Sequence, residues 1–168
     1  MRTRLPAFIL IYMLSLLFAS GIHGQIPTSR RARKAIKQCS PGLKKELKAE
    51  GLSKGAPVFM RIVKADSMLE VFLQNGEQFE LFKTYKICSY SGGLGPKKQQ
   101  GDGKSPEGFY YVTPGQLNPY SNFHLSFNIG YPNTYDRLHG YTGNYLMVHG
   151  NCVSIGCYAM TDSNIEEI

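Results

Sequence analysis

Two runs of alternating residues meet at Asn75-Gly76, and that junction constrains the fold more than any other feature of the chain. Before it, Leu69, Val71 and Leu73 alternate with Glu70, Phe72 and Gln74; after it, Phe79, Leu81, Tyr85 and Ile87 fall on one face. Asn-Gly tolerates the positive φ angles of a tight hairpin turn, and period-two runs on both sides predict an antiparallel hairpin. Upstream, Val58, Met60 and Ile62 alternate with Phe59 and Arg61 and predict a third strand. Residues 109–113, 123–129 and 145–149 read as further strands. The 168 residues are 42% hydrophobic, enough for one domain with a real core. A glycine period and heptads are both missing, which excludes collagen and coiled coil.

The apolar run at residues 7–18 follows Arg2 and Arg4 and precedes Ala19-Ser20-Gly21. A basic start, a short apolar stretch and small residues at a cleavage position predict a secretory signal over residues 1–21, and hence export to the periplasm or cell envelope. A polytopic membrane protein is excluded because this is the single long apolar run.

The net charge of +7 is unevenly placed. Residues 22–54 carry nine positive side chains against Glu46 and Glu50, whereas residues 55–168 carry eight positive against ten negative. The basicity therefore belongs to a lead-in segment. Helices are expected at 29–38 and 43–50, broken by Pro41-Gly42. A cationic segment over residues 28–54 suits an anionic membrane surface. No aromatics interleave with its charges, which argues against nucleic acid as a partner. Three parts result: a signal at 1–21, a basic helical lead-in at 22–54 and a folded domain at 55–168.

Residues 91–108 form a long loop with six glycines and Lys97-Lys98. Loops of this length in compact domains are usually functional. A phosphate-binding reading fails, because Lys98 stands where a Walker loop needs glycine.

Chemistry concentrates between Met147 and Cys157. His149 ends an apolar strand, and Gly156-Cys157 follows eight positions later. A thiol beside a base is a strong nucleophile. Glycine before it permits a tight turn that frees the Gly156 and Cys157 N–H groups to bind an oxyanion. His149, Cys152 and Cys157 lack the fourth ligand of a usual zinc site. If Cys157 stays a thiol, at most one bridge forms among Cys39, Cys88 and Cys152, and spacing does not select the pair.

Further motifs surround this block: Ile87-Cys88, Ser91-Gly92, Gly95-Pro96-Lys97, Gly101-Asp102 and Ser105-Pro106-Glu107-Gly108-Phe109-Tyr110. Asn118-Pro119, His124-Leu125-Ser126-Phe127-Asn128, Gly130-Tyr131-Pro132-Asn133 and Asp136-Arg137 continue the series. Together with the segment from His149 to Met160 they resemble the L,D-transpeptidase (YkuD-type) family, and within it the YafK-like murein subgroup. The resemblance implies a β-rich α+β fold of packed mixed sheets with short helices. It implies Cys157 as nucleophile and His149 as base and proton donor, acting on peptidoglycan stem peptides through a thioester, with no metal or cofactor. Wall crosslinking or remodelling is the expected role. A murein hydrolase or amidase of the same fold, or a non-catalytic wall-binding protein, are the alternatives.

Ile155 replaces the broad family's second histidine, and Tyr158-Ala159 replaces its basic or amide residue. The subgroup shares both departures. Arg137 is a candidate for holding a substrate carboxylate, and His124 a second substrate-binding candidate. Thr161-Asp162 predicts a helix N-terminus. Family members continue past Met160 with a helix and a strand, most of which this chain is expected to lack.

Overall fold

The computed structural model describes residues 25–168. The predicted signal at 1–21 lies outside the described residues.

Helix α1 (Arg30–Ala49) starts where expected, with the Ser29 hydroxyl accepting from Ala32 N–H. It then runs unbroken through Pro41, contrary to the expected break. Proline inside a helix removes one hydrogen bond and clashes with the preceding turn, about 3 kcal/mol or more. Tertiary contacts offset that here. Pro41 itself is solvent-exposed, while Ala35 is buried and Ala32, Cys39, Leu43 and Leu47 are half-buried along the inner face. Glu46 pairs with Lys83 at 2.7 Å, and Arg31 donates to Ser121 O at 3.0 Å. The lead-in is thus packed on the domain and not detached from it.

Strands β1 (Val58–Val63), β2 (Met68–Asn75) and β3 (Gln78–Lys86) form an antiparallel sheet in that order. The predicted hairpin is present, shifted by one residue. Asn75 pairs with Gln78, so Gly76 and Glu77 make the turn, and Gly76 takes the positive φ. Leu69, Val71 and Leu73 face the core with Tyr85. The expected single apolar face of β3 is broken by an irregularity: Val71 pairs with Lys83 but Phe72 pairs with Leu81. The extra residue inverts the alternation. Phe79 and Leu81 therefore join Phe59 and Phe72 on the outer face, 46% and 52% exposed.

A second sheet carries β4 (Leu117–Asn118), β5 (Ser126–Asn128), β6 (Met147–His149) and β7 (Tyr158–Ala159). The first three are antiparallel neighbours, and β6 runs parallel to β7. The strands expected at 123–129 and 145–149 are shorter, because His124 and Tyr145 take positive φ, which ends an extended run. The strand expected at 109–113 does not form. Its aromatics favour β structure, but side chains hold its backbone: Asn133 donates to Phe109 O, and Thr113 N–H donates to Gln116.

Helix α2 (Thr134–Leu138) and helix α3 (Asp162–Glu167) complete the fold, α3 capped by Thr161 as its sequence predicts. The core lies between the sheets, with Leu69, Ile87, Phe127, Val148, Tyr158, Met160 and Ile165 packed together. This is the β-rich α+β architecture expected. The 91–108 loop is tied down by two buried lysines. Lys64 donates to Gly95 O and Ser105 O and pairs with Glu107, and Lys97 pairs with Asp102 at 2.6 Å. Burial alone would raise the Asp102 pKa, but the Lys97 ammonium and three backbone N–H groups hold it well below the usual carboxylate range.

Candidate active site

The parallel pairing of β6 and β7 builds the site. Val148 pairs with Tyr158 and His149 with Ala159. Strand alternation sends Val148 and Tyr158 into the core, leaving Met147 and His149 on the opposite face. Cys157 precedes β7 and sits beside Met147: Met147 N–H donates to its sulfur at 3.4 Å, and the thiol faces Tyr145 O at 3.8 Å. The two predicted catalytic residues thus share a face of neighbouring strands, Cys157 level with Met147 and His149 two residues further along β6. The thiol's hydrogen-bond partners are backbone groups and not the imidazole. Burial pushes the Cys157 pKa up, against the opposing pull of Met147 N–H and the Lys97 ammonium. The group is therefore a thiol at neutral pH and needs a base to become a nucleophile.

His149 is 3% exposed. Its Nδ1 lies 2.5 Å from Gly150 O. A carbonyl only accepts, so Nδ1 carries the proton and Nε2 keeps its lone pair. The Phe123 ring packs against the imidazole at 4.7 Å. The turn after His149 is held on every side. Gly150 N–H donates to Phe123 O and Leu125 O, Asn151 N–H to Asp162, and Cys152 N–H to Met160 O. Gly150 admits no side chain there, since a Cβ would lie 2.6 Å from Asp162 Oδ1 and 3.0 Å from His124 Cβ.

The structure selects one cystine, Cys88–Cys152, and leaves Cys39 and Cys157 free. The bridge removes Cys152 from any zinc set. It also staples the loop between His149 and Cys157 to the end of the first sheet. For a sequence separation of 64, the chain-entropy model gives about 4 kcal/mol of stabilisation. Cys152→Ala should lower the melting temperature markedly, whereas Cys157→Ala should leave it nearly unchanged; calorimetry of the two variants checks this.

Three expected site residues have other partners. Gly156 N–H was expected to face an oxyanion but donates to Ser154 Oγ at 3.1 Å, and the same hydroxyl donates to Cys157 O at 2.6 Å. A serine two residues ahead competes for that amide, so of the predicted pair only the Cys157 N–H stays a candidate. Arg137 was expected to hold a substrate carboxylate. Its guanidinium instead turns back on Pro132 O and Thr134 Oγ1, and the buried Asp136 closes the α2 capping box with Asn133. His124, the second substrate-binding candidate, places Nε2 2.7 Å from Glu166 and Nδ1 3.6 Å from Asp162. It ties α3 to the turn that follows His149.

Sequence reasoning missed Ser126. It pairs directly with His149 across β5 and β6, and its Oγ is buried without a hydrogen-bond partner among the described residues. The sequence holds it within the His124–Asn128 motif, but a strand prediction carries no register and does not place it opposite His149.

The L,D-transpeptidase catalytic domain (YkuD) model matches residues 57–168. YafK of Escherichia coli K12, an inferred L,D-transpeptidase, is 59% identical over 114 residues, which are 68% of this chain and 46% of that protein. The E. coli O157:H7 counterpart gives the same values. Among solved structures, the helical cell shape determining protein Pgp2 of Campylobacter jejuni aligns over 74% of this chain and 49% of its own, at 26% identity and a TM-score of 0.52. A lysine-to-alanine variant of Pgp2 aligns over 83% of this chain and 51% of its own, at 23% identity and a TM-score of 0.55, a likeness of fold alone. The chain spans about half the length of the curated relatives it matches.

Proposed function

The chain belongs to the YkuD family of L,D-transpeptidase catalytic domains, and from that premise we propose that it is an exported cysteine acyltransferase acting on peptidoglycan stem peptides. His149 Nε2 takes the Cys157 proton, and the thiolate attacks the carbonyl that follows an L-configured diamino acid. A carbon–sulfur bond forms, the amide carbon–nitrogen bond breaks, and the imidazolium returns its proton to the leaving amine. An acceptor amine then opens the thioester, with His149 removing its proton. The Cys157 N–H is the backbone donor best placed to follow the developing oxyanion, because it belongs to the attacking residue itself.

The observation that carries this reading is the parallel register. It sets Cys157 beside Met147 and His149 two residues further along the same face, with the imidazole in the tautomer that can accept a proton. The Gly150 contact holds Nδ1–H and leaves the Nε2 lone pair free to receive the thiol proton. A role in wall remodelling accords with the cell-shape function in the name of Pgp2. Incubation with a defined tetrapeptide muropeptide tests the reaction. A crosslinked or amine-exchanged product is expected; water as sole acceptor would make the protein a hydrolase, and no thioester at all would overturn the proposal.

The basic helix serves localisation on this reading. Arg30, Arg33, Lys34, Lys37, Lys44, Lys45 and Lys48 are all exposed on α1. Deleting the helix would strip contacts from the domain, so charge reversal is the cleaner probe. Lys34→Glu, Lys37→Glu, Lys44→Glu and Lys45→Glu together should abolish salt-sensitive binding to anionic phosphatidylglycerol vesicles and leave acylation unchanged. Sedimentation with vesicles at two salt concentrations measures it.

A further inference from the structure

The 91–108 loop reads as functional from its length, yet none of its side chains gives or takes a proton in the reaction proposed above. In the fold it backs the nucleophile. Three successive residues of the loop meet three successive residues around Cys157. Lys104 O lies 3.5 Å from where a Cβ on Gly156 would stand, Ser105 Oγ donates to Cys157 O at 3.2 Å, and Pro106 O accepts from the Tyr158 hydroxyl at 2.6 Å. The middle contact touches the attacking residue itself.

Cys157 needs such a contact. The β6–β7 ladder begins at Tyr158, so the nucleophile sits just ahead of the paired residues. Its thiol has only long sulfur contacts, 3.4 Å to Met147 N–H and 3.8 Å to Tyr145 O. Its carbonyl is held by two hydroxyls, Ser154 Oγ at 2.6 Å and Ser105 Oγ at 3.2 Å. The two differ in what stands behind them. Ser154 belongs to the same turn as Cys157 and is tied back to it through Gly156 N–H, so it can shift together with the nucleophile. Ser105 is anchored elsewhere. It is fully buried, and its own carbonyl accepts from the buried ammonium of Lys64, the residue that follows β1. On the other side, the Asp102 carboxylate accepts from Lys104 N–H and from the Lys97 ammonium. Ser105 therefore refers Cys157 to the first sheet and to the anchored loop.

We propose that Ser105 is a positioning residue for the nucleophile: its hydroxyl holds the Cys157 carbonyl and so fixes the backbone from which the thiol and the Cys157 N–H project. No bond forms or breaks at Ser105. It donates to the same carbonyl before, during and after attack. A misplacement of about 1 Å at a reacting atom can cost about 100-fold in rate, so one such contact matters. The inference rests on Cys157 being the nucleophile of the proposed reaction.

Carbapenem acylation of Cys157, followed by intact-protein mass spectrometry over a range of carbapenem concentrations, tests it. Ser105→Ala should lower the maximal acylation rate roughly 10- to 100-fold and leave the half-saturating concentration within about twofold, since Ser105 touches the nucleophile and not the ligand. Ser105→Thr keeps the hydroxyl and should restore most of the rate. Rates are compared at the same interval below each variant's melting temperature, so that lost stability does not count as lost positioning. Peptide-resolved alkylation of Cys157 by iodoacetamide is the second readout. It needs no oxyanion donor and no oriented carbonyl, so its rate in Ser105→Ala should stay near that of the wild type.

An unchanged maximal acylation rate in Ser105→Ala would overturn the role of Ser105 and leave Cys157 as nucleophile. A loss that vanishes at matched intervals below melting, or one that Ser105→Thr shares while melting like the wild type, would make the residue structural and also overturn the inference. So would alkylation that speeds up in Ser105→Ala, because the thiol would then have been exposed by local unfolding. Wild-type protein that is alkylated at Cys157 but never acylated would overturn the reading of the site itself, and the inference with it.

Discussion

Replacing Cys157 with alanine is expected to abolish acylation and turnover of stem peptides, a loss on the order of 10⁴-fold or more, while the domain stays folded. The size follows from covalent catalysis: without sulfur no thioester forms, and neighbouring groups stabilise an intermediate that never appears. The retained fold follows from the packing. The thiol's partners are a weak sulfur contact to Met147 N–H and a 3.8 Å approach to Tyr145 O, neither of which holds the sheets together. Cys157 is also outside the one cystine. Turnover of a tetrapeptide muropeptide and circular dichroism of the same preparation give the two halves of this result. Turnover surviving in the folded variant would remove Cys157 from the mechanism.

The next largest effect belongs to His149. His149→Ala should slow acylation by about 10²–10⁴-fold. The pH dependence of the remaining rate is the sharper test. Burial holds the Cys157 pKa above the ordinary thiol value. A raised thiol pKa means that less thiolate exists at neutral pH, and that the fraction grows tenfold per pH unit until the raised pKa is reached. With His149 present, the base takes the proton during attack, and the profile has an acidic limb where the imidazole is protonated. Without it, that limb should vanish, and the rate should climb steadily into alkaline solution as free thiolate accumulates. Stopped-time mass spectrometry across the pH range distinguishes the two shapes. His149→Ala also opens space beside Phe123, so His149→Gln, which fills more of it, is the control for packing. An acidic limb that persists in both variants would assign it to another group.

The elements that sequence patterning locates well are those set by local rules. The Gly76 turn, the β2 alternation of Leu69, Val71 and Leu73, and the Thr161 cap all depend on residues near one another in the chain. The positions of Cys157 and His149 near strand ends follow from the same rules, helped by the motif around them. What stays hidden depends on partners far away in sequence. The irregularity opposite Val71 and Phe72 is decided by how β3 lies on β2, and it sends Phe79 and Leu81 to the wrong side of the expected face. The continuity of α1 through Pro41 is decided by contacts with α3, Lys83 and Ser121. The choice of Cys88 for Cys152 requires residues 64 apart to be neighbours. Ser126 is the clearest case. It lies within the His124–Asn128 motif, but only the cross-strand pairing places it opposite His149.

His124, Arg137 and Gly156 show how local partners escape motif reading. Their residue types suit a catalytic groove, and motif reasoning placed them there. In the folded chain each meets a nearer competitor: Glu166 and Asp162 for His124, Pro132 O for Arg137, Ser154 Oγ for Gly156. Polar groups take the partners that geometry offers first, and a motif does not reveal which those are.

The central claim is that Cys157 forms an acyl-enzyme with His149 as its base, and intact-protein mass spectrometry after exposure to a carbapenem tests it most directly. The account predicts a single adduct of one carbapenem mass, mapped by peptide digestion to Cys157, absent from Cys157→Ala and strongly delayed in His149→Ala. A folded wild-type protein that acquires no adduct, or one that acquires it at Cys39, would contradict the account.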